Sequence, residues 1–373
     1  MPENYYHSLG ISKAINAAGT LTLLGGCRMR PEAAAAMAEA AQSFVDLDLL
    51  LEKSGERIAA MLGVEAALVT AGASAALVQS AAACIAGHDP ALRDRLPASP
   101  PARSEIIIQR CHRNAYDNAL PTAGAHLVEV GNAIRTHPWM LESAITENTA
   151  AIFFALHAEM LDASLSLDQS IQIAHTHNLP VIVDAAAELP PKSNLWMLSH
   201  RGADLVIFSG GKDIRGPQTS GLIVGRKDLV SAAHFNGAPH YGVGRPSKAS
   251  KEIVIGFLAS LEAYLAEDEA ARFAYWRDTQ ADMIAELNRI PHLRAQVYTP
   301  TQPGIHPVDI PRVQLNLLPS APLTLDALIH NLRAGTPQVI VDRRRDAIIL
   351  NLQVLEPGEP EIVLRRIREE MQK

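Results

Sequence analysis

A chain of 373 residues is long for one average domain and suits a large domain with a smaller companion, each burying its own core. Hydrophobic residues make up 48% and charged residues 20%, the composition of a globular protein, and the formal net charge of -7 lacks the basic footprint that non-specific nucleic-acid binding requires. Cys27, Cys84 and Cys111 form no C-x-x-C pair, which excludes a disulfide framework and a four-thiolate zinc site. No basic and apolar leader opens the chain and nowhere do eighteen apolar residues run uncharged, so a cytoplasmic protein without a membrane span is expected.

The stretch Pro31 to Gly63 is rich in Ala and Leu, with proline at a first helical position, and predicts one or two helices before the strand EAALVT. Gly87 to Ser104, dense in proline and charge, reads as a loop. Short β-branched runs follow: EIIIQ (Glu105 to Gln109), AIFFAL (Ala151 to Leu156) and PVIVDAAA (Pro180 to Ala187). Between the last two, the apolar spacing within Leu165 to Leu179 and the cap Ser166 predict a crossover helix. ADLVIFSGG and GLIVGR give two further apolar strands. Continuous apolar strands separated by helices indicate a parallel sheet covered on both faces, and so an α/β fold. Past Lys248 one long helical pattern runs to Leu287, long enough to bridge two domains, and strands alternate with helices from about Val297. The expected division is 1–248 for the large domain and 249–373 for the connecting helix and a small α/β domain.

The strongest chemical signal is SGGKD (Ser209 to Asp213), a lysine on a glycine turn after a buried strand, where α/β sheets place ligands. Taken alone, Lys212 fits a surface lysine on a tight turn equally well. A phosphate-binding Walker loop fails here, because Val206 stands where its first glycine belongs and Asp213 where Ser or Thr is required. Asp184 ends PVIVD, so neighbouring strands would bring a carboxylate and an amine to one sheet edge. Pyridoxal 5′-phosphate (PLP) needs this pair: the lysine holds it as a Schiff base, and the aspartate keeps the pyridine nitrogen protonated so that the ring accepts electrons. By itself Asp184 could equally cap the next helix.

A PLP site also needs a phosphate cup, and TAGASAAL offers Gly72, Ala73 and Ser74 at a strand-to-helix turn. His112, in CHRNAYDN after EIIIQ, reaches the same edge, where an imidazole could stack on the cofactor or be an ordinary hydrogen-bonded residue. A metal site is not expected: no H-E-x-x-H occurs among the 14 histidines, and His175 to His177 read as a solvated helix face. The GVG at Gly242 to Gly244 lacks a preceding apolar strand, so a dinucleotide fingerprint is not supported.

These segments, with INAAGTLTLLGG, ERIAAMLGVEAALVTAGASAAL and GRPSKASKEIVIG, resemble the selenocysteine-synthase-like (SelA-related) branch of fold-type I PLP enzymes over roughly residues 6 to 265, and within it the D-glucosaminate-6-phosphate ammonia-lyase group. The resemblance implies an aspartate-aminotransferase-like fold, with a mainly parallel seven-stranded sheet in the large domain. It implies catalytic roles for Lys212, Asp184 and a ring-stacking His112. Cofactor contacts are implied from Gly72, Ala73, Ser74, Ala186 and Ser209, and a homodimer or larger homo-oligomer is expected. Arg245 or Lys248 would then meet a neighbouring subunit's phosphate. Selenium transferases of this branch carry an additional tRNA-binding region before INAAGT; this chain reaches that motif by residue 15, so a small amino acid rather than tRNA is the expected partner. The substrate-carboxylate arginine is not fixed by the sequence: Arg215 and Arg345, the latter in the run Arg343 to Arg345, are the candidates.

The expected reaction is α,β-elimination on a hydroxylated amino acid, giving a 2-keto acid and ammonia. Racemisation, or aldol cleavage of the Cα–Cβ bond, would use the same electron sink. A non-catalytic PLP-binding protein and a tRNA-dependent transferase are the competing classes.

Overall fold

The computed structural model describes residues 5–300 and 307–373. Its strands in chain order are β1 (Ala14–Ala17), β2 (Ala66–Thr70), β3 (Glu105–Gln109), β4 (His126–Val130), β5 (Thr149–Ala155), β6 (Val181–Asp184), β7 (Leu205–Ser209), β8 (Gly221–Gly225), β9 (Leu293–Tyr298), β10 (Arg312–Leu317), β11 (Gln338–Arg344) and β12 (Ala347–Asn351). They divide between two compact units, one holding residues 29–267 and the other residues 5–28, 268–300 and 308–373.

The larger unit contains a seven-stranded sheet in the order β2-β8-β7-β6-β5-β3-β4. The pairs β3–β4, β3–β5, β5–β6 and β6–β7 are parallel, whereas β8 is antiparallel to both β2 and β7. Six strands therefore end at one edge of the sheet, where β8 begins. Every residue of β5 and β6 is buried, which is why these segments read as unbroken apolar runs. Ile107 in β3 is fully buried, and its replacement by alanine would cost about 2–5 kcal/mol in transfer and cavity terms.

The helices form where caps and periodicity place them. Pro31 opens the helix Pro31–Ala40 at its first position. Asp46 caps Leu47–Leu62 through the amides of Asp48 and Leu49. The crossover helix Leu167–Thr176 starts on a reciprocal capping box between Ser166 and Gln169. Its His175 is more than a solvated face: Nε2 lies 2.9 Å from the buried Asp204, which also accepts the Val181 amide and the Arg226 guanidinium.

The long helical pattern after Lys248 is two helices, Lys251–Ala266 and Glu269–Asn288. Glu267 turns to an extended backbone, and Asp268 caps the second helix at the Ala271 amide, so a capping residue interrupts an otherwise continuous period. The first helix belongs to the larger unit and the second to the smaller.

The smaller unit has a five-stranded sheet ordered β1-β11-β12-β10-β9 around a core that includes Trp276, Met283, Leu315, Leu328 and Ile348. Residues 5–28 fall in this unit because β1 pairs in parallel with β11, from Ala14 opposite Gln338 to Ala17 opposite Val341. Among the described residues, no helix is long and apolar enough to cross a membrane.

Candidate active site

The Lys212 turn is built by glycines. Gly210 donates its amide to Ser220 at 2.9 Å and Gly216 donates to Gly210 at 2.8 Å, folding the β7–β8 connection back on itself. A Cβ on Gly211 would lie 2.7 Å from the Gln218 backbone, so no side chain fits there. The next residue, Lys212, accepts the Arg215 amide at 3.0 Å, and Arg215 takes a left-handed φ of 60°. Burial pushes the Lys212 amine below its ordinary pKa, opposed by the negative charges of Asp184 and Glu188.

Asp184 is the last residue of β6 and pairs with Ile207 in β7 and Ala155 in β5. The strands lie side by side, about 4.8 Å apart, which brings its carboxylate next to the lysine turn. It is 8% exposed and accepts the Ala186 amide at 3.0 Å, so Ala186 fixes the carboxylate through its backbone.

The turn after β2 enters the helix Ala73–Ala86, whose start has no side-chain cap. The first amides of that 14-residue helix are therefore open to an anion at its positive end. Gly72 holds a φ of 97°, and Ser74 is exposed. Gly221 lies between Thr70 of β2 and Ser209 of β7 in the ladder, and a Cβ there would stand 2.5 Å from the Gly72 carbonyl carbon. The missing side chain of Gly221 thus makes room for the turn, and the ladder sets Ser209 about two strand spacings, about 10 Å, from Thr70 at the start of that turn.

His112 follows β3 at the same edge, in a hydrogen-bonded setting. Its ring is fully buried and meets Phe154 edge-on at 4.5 Å. Nδ1 accepts the Ala155 amide at 3.1 Å, and Nε2 lies 2.7 Å from Ser164 Oγ, which itself donates to the Leu165 carbonyl. Nε2 must therefore carry the hydrogen. Burial, with a smaller contribution from His157, pushes the pKa down to about 3. A neutral ring with both nitrogens engaged ties the end of β5 to β3.

His157, two residues past the end of β5, was not singled out in the sequence. Burial lowers its pKa, the Asp184 carboxylate raises it and the Lys212 amine lowers it, so it shares the field of both groups. The pattern that pointed to His112, a histidine soon after an apolar strand, also occurs here in AIFFALH and could have found it.

The remaining candidates are dispersed. Arg245 is half-buried and Lys248 exposed, both preceding the helix Lys251–Ala266. Arg345 belongs to the smaller unit, at the β11–β12 hairpin with a φ of 51°, while Arg343 pairs with Asp326 and Arg344 with Asp342.

An uncapped helix start, a glycine cradle, a desolvated amine and a carboxylate on adjacent strands are the donor set PLP requires, and the residues fit it. Fold and site define a fold-type I PLP-dependent enzyme. The chain belongs to the SelA family: the family model, described as L-seryl-tRNA selenium transferase, matches residues 14–356. It is 39% identical over 269 residues to D-glucosaminate-6-phosphate ammonia lyase of Salmonella typhimurium, covering 71% of each chain. It is also 34% identical over 382 residues to 5'-C-glycyluridine monooxygenase-decarboxylase of a Streptomyces species, covering 98% of this chain and 91% of that one. A solved structure of D-glucosaminate-6-phosphate ammonia-lyase superposes with a TM-score of 0.85 at 30% identity, over the full length of both chains.

Proposed function

We propose that this enzyme eliminates ammonia from a small hydroxylated amino acid, leaving a 2-keto acid. The observation that carries the reading is the placement of Lys212 and Asp184 at the ends of adjacent parallel strands, with the lysine held below its ordinary pKa by burial. When bound, PLP supplies the electron sink for charge developing at the substrate α-carbon.

The chain's own residues do the rest. The amides at Gly72, Ala73 and Ser74, with the Ser209 hydroxyl, bind the phosphate. Asp184 holds a proton on the pyridine nitrogen. Lys212 anchors the cofactor and, once displaced, takes the α-proton; its lowered pKa raises the free-base fraction near neutrality. The proton that Lys212 has taken is available to the departing β-hydroxyl, and His157, neutral at pH 7 by burial, shares the field of Lys212 and Asp184. That hydroxyl leaves as water, and hydrolysis returns the water and frees ammonia, so the net change is amino acid to 2-keto acid plus ammonia. Arg215, on the same turn as Lys212, is assigned to the substrate's acid group, with Arg345 the alternative; Arg245 and Lys248 are assigned to a neighbouring subunit's phosphate.

Identity to the Salmonella relative supports the ammonia-lyase chemistry and a polyhydroxylated acid as the substrate class. We assign the enzyme to the cytoplasm as a homo-oligomer; exposed Phe44, Val45 and Leu49 support a self-contact. The test is product analysis on L- and D-hydroxyamino acids, with and without a terminal phosphate. Ammonia and 2-keto acid in equal amounts are expected; an inverted amino acid would indicate a racemase, and an aldehyde an aldolase.

A further inference from the structure

Away from the PLP site, in the same unit, two imidazoles converge on one carboxylate oxygen. Asp48 Oδ1 lies 2.9 Å from His234 Nε2 and 3.2 Å from His240 Nε2. The three ligand atoms all fall within 4.8 Å of one another. His234 Nε2 is buried from solvent with the Asp48 carboxylate beside it. A nitrogen and an oxygen bound to one ion at about 2.0–2.1 Å stand about 2.9 Å apart at an octahedral angle and about 3.3 Å apart at a tetrahedral one. The two observed separations lie within that span.

The three residues are also held in place. Asp48 sits in the first turn of Leu47–Leu62, fixed by the Asp46 cap on its own amide. His234 is in the last turn of the helix Lys227–Phe235. His240 rides on the loop that follows, whose ends are pinned by Asn236: its Nδ2 donates to the Gly87 carbonyl at 2.9 Å, and its carbonyl accepts the Gly244 amide at 2.9 Å. A Cβ on Gly242 would lie 2.5 Å from that Asn236 carbonyl oxygen, so the GVG of this loop serves its close return. The two rings stand 5.1 Å apart at 59°. Ligands held in advance by caps and a closed loop lose little freedom on binding.

We propose that Asp48, His234 and His240 form a site for a divalent transition-metal ion of the zinc class. Two imidazoles and one carboxylate suit that class better than the all-oxygen shells that magnesium and calcium prefer. The ion joins the start of Leu47–Leu62 to the loop after Lys227–Phe235, and water completes its shell.

The test is equilibrium dialysis of the PLP-loaded protein, stripped with a chelator, against micromolar zinc, with bound metal counted by emission spectrometry. One zinc per chain is expected, resistant to millimolar magnesium. Asp48→Asn and His240→Gln should each lower occupancy at least tenfold while leaving the PLP absorbance band unchanged; if either misfolds by circular dichroism, His234→Gln replaces it. No uptake by the parent protein, or full occupancy in the variants through other histidines, overturns the proposal.

Discussion

Arg30 donates its Nε to the Ile214 carbonyl at 2.9 Å and its backbone amide to the Arg215 carbonyl at 2.9 Å, so a residue far upstream closes the turn that carries Lys212. Ser260 Oγ donates to the same Arg215 carbonyl, and the Arg30 guanidinium reaches Glu267 at 2.6 Å and lies over the Tyr264 ring. A methionine of similar length would lose these charge-assisted bonds and leave the Ile214 carbonyl without its donor. Arg30→Met should cost about 2–3 kcal/mol in denaturant unfolding and weaken PLP binding. Unchanged values for both would show that the turn holds itself.

Gly221→Ala tests the phosphate cup without touching a polar group. The added methyl meets the Gly72 and Ala73 backbone at 2.5–2.8 Å, which cannot give way as a flexible side chain would. PLP affinity should fall tenfold or more by fluorescence titration, with secondary structure retained. Affinity equal to the parent's would place the phosphate elsewhere.

His112 predicts a pH dependence. Its folded pKa, about 3, lies below the ordinary value of 6.5, so below that value the unfolded chain takes up a proton that the native ring refuses. Stability present above pH 6.5 is then lost as pH falls toward 3, by up to about 1.4 kcal/mol per pH unit from this group. His157 and His234, also lowered by burial, act with the same sign, so the informative quantity is a difference. His112→Gln should be less stable at pH 7 and show a shallower loss between pH 6 and 4 in urea titrations; parallel curves would contradict the neutral buried ring.

Arg215 offers a separation of stability from function. Its left-handed backbone costs an L-residue about 1 kcal/mol, and glycine relieves this at a similar cost in unfolded-state entropy. Arg215→Gly should therefore be near neutral for the backbone while raising KM about tenfold with a smaller change in kcat. A kcat loss with unchanged KM would remove Arg215 from the substrate's acid group.

How far the sequence carried this account depended on the range of the signal. The nearness of Lys212 and Asp184 was legible because Asp184 ends one apolar strand and Lys212 follows another, and the ladder places those strands side by side. Ser166 and Pro31 marked helix starts that the structure has. The break at Asp268 was missed because one capping residue inside a continuous helical period carries little local signal. The pairing of Ala14 with Gln338 spans nearly the whole chain and leaves none, which is why residues 5–28 fall in the smaller unit. Arg30 and the Asp48–His234–His240 cluster become neighbours only through packing. His112 was found at the right edge, yet its burial under Ser164 and Phe154 depends on chain from other strands.

Whether Lys212 anchors PLP is decided by an absorption spectrum before and after borohydride reduction, followed by peptide mapping. A visible band should collapse on reduction and leave the cofactor's mass on Lys212, with Lys212→Ala showing neither the band nor turnover. A colourless protein that gains no band with added PLP, or a label on another lysine, would contradict that role for Lys212.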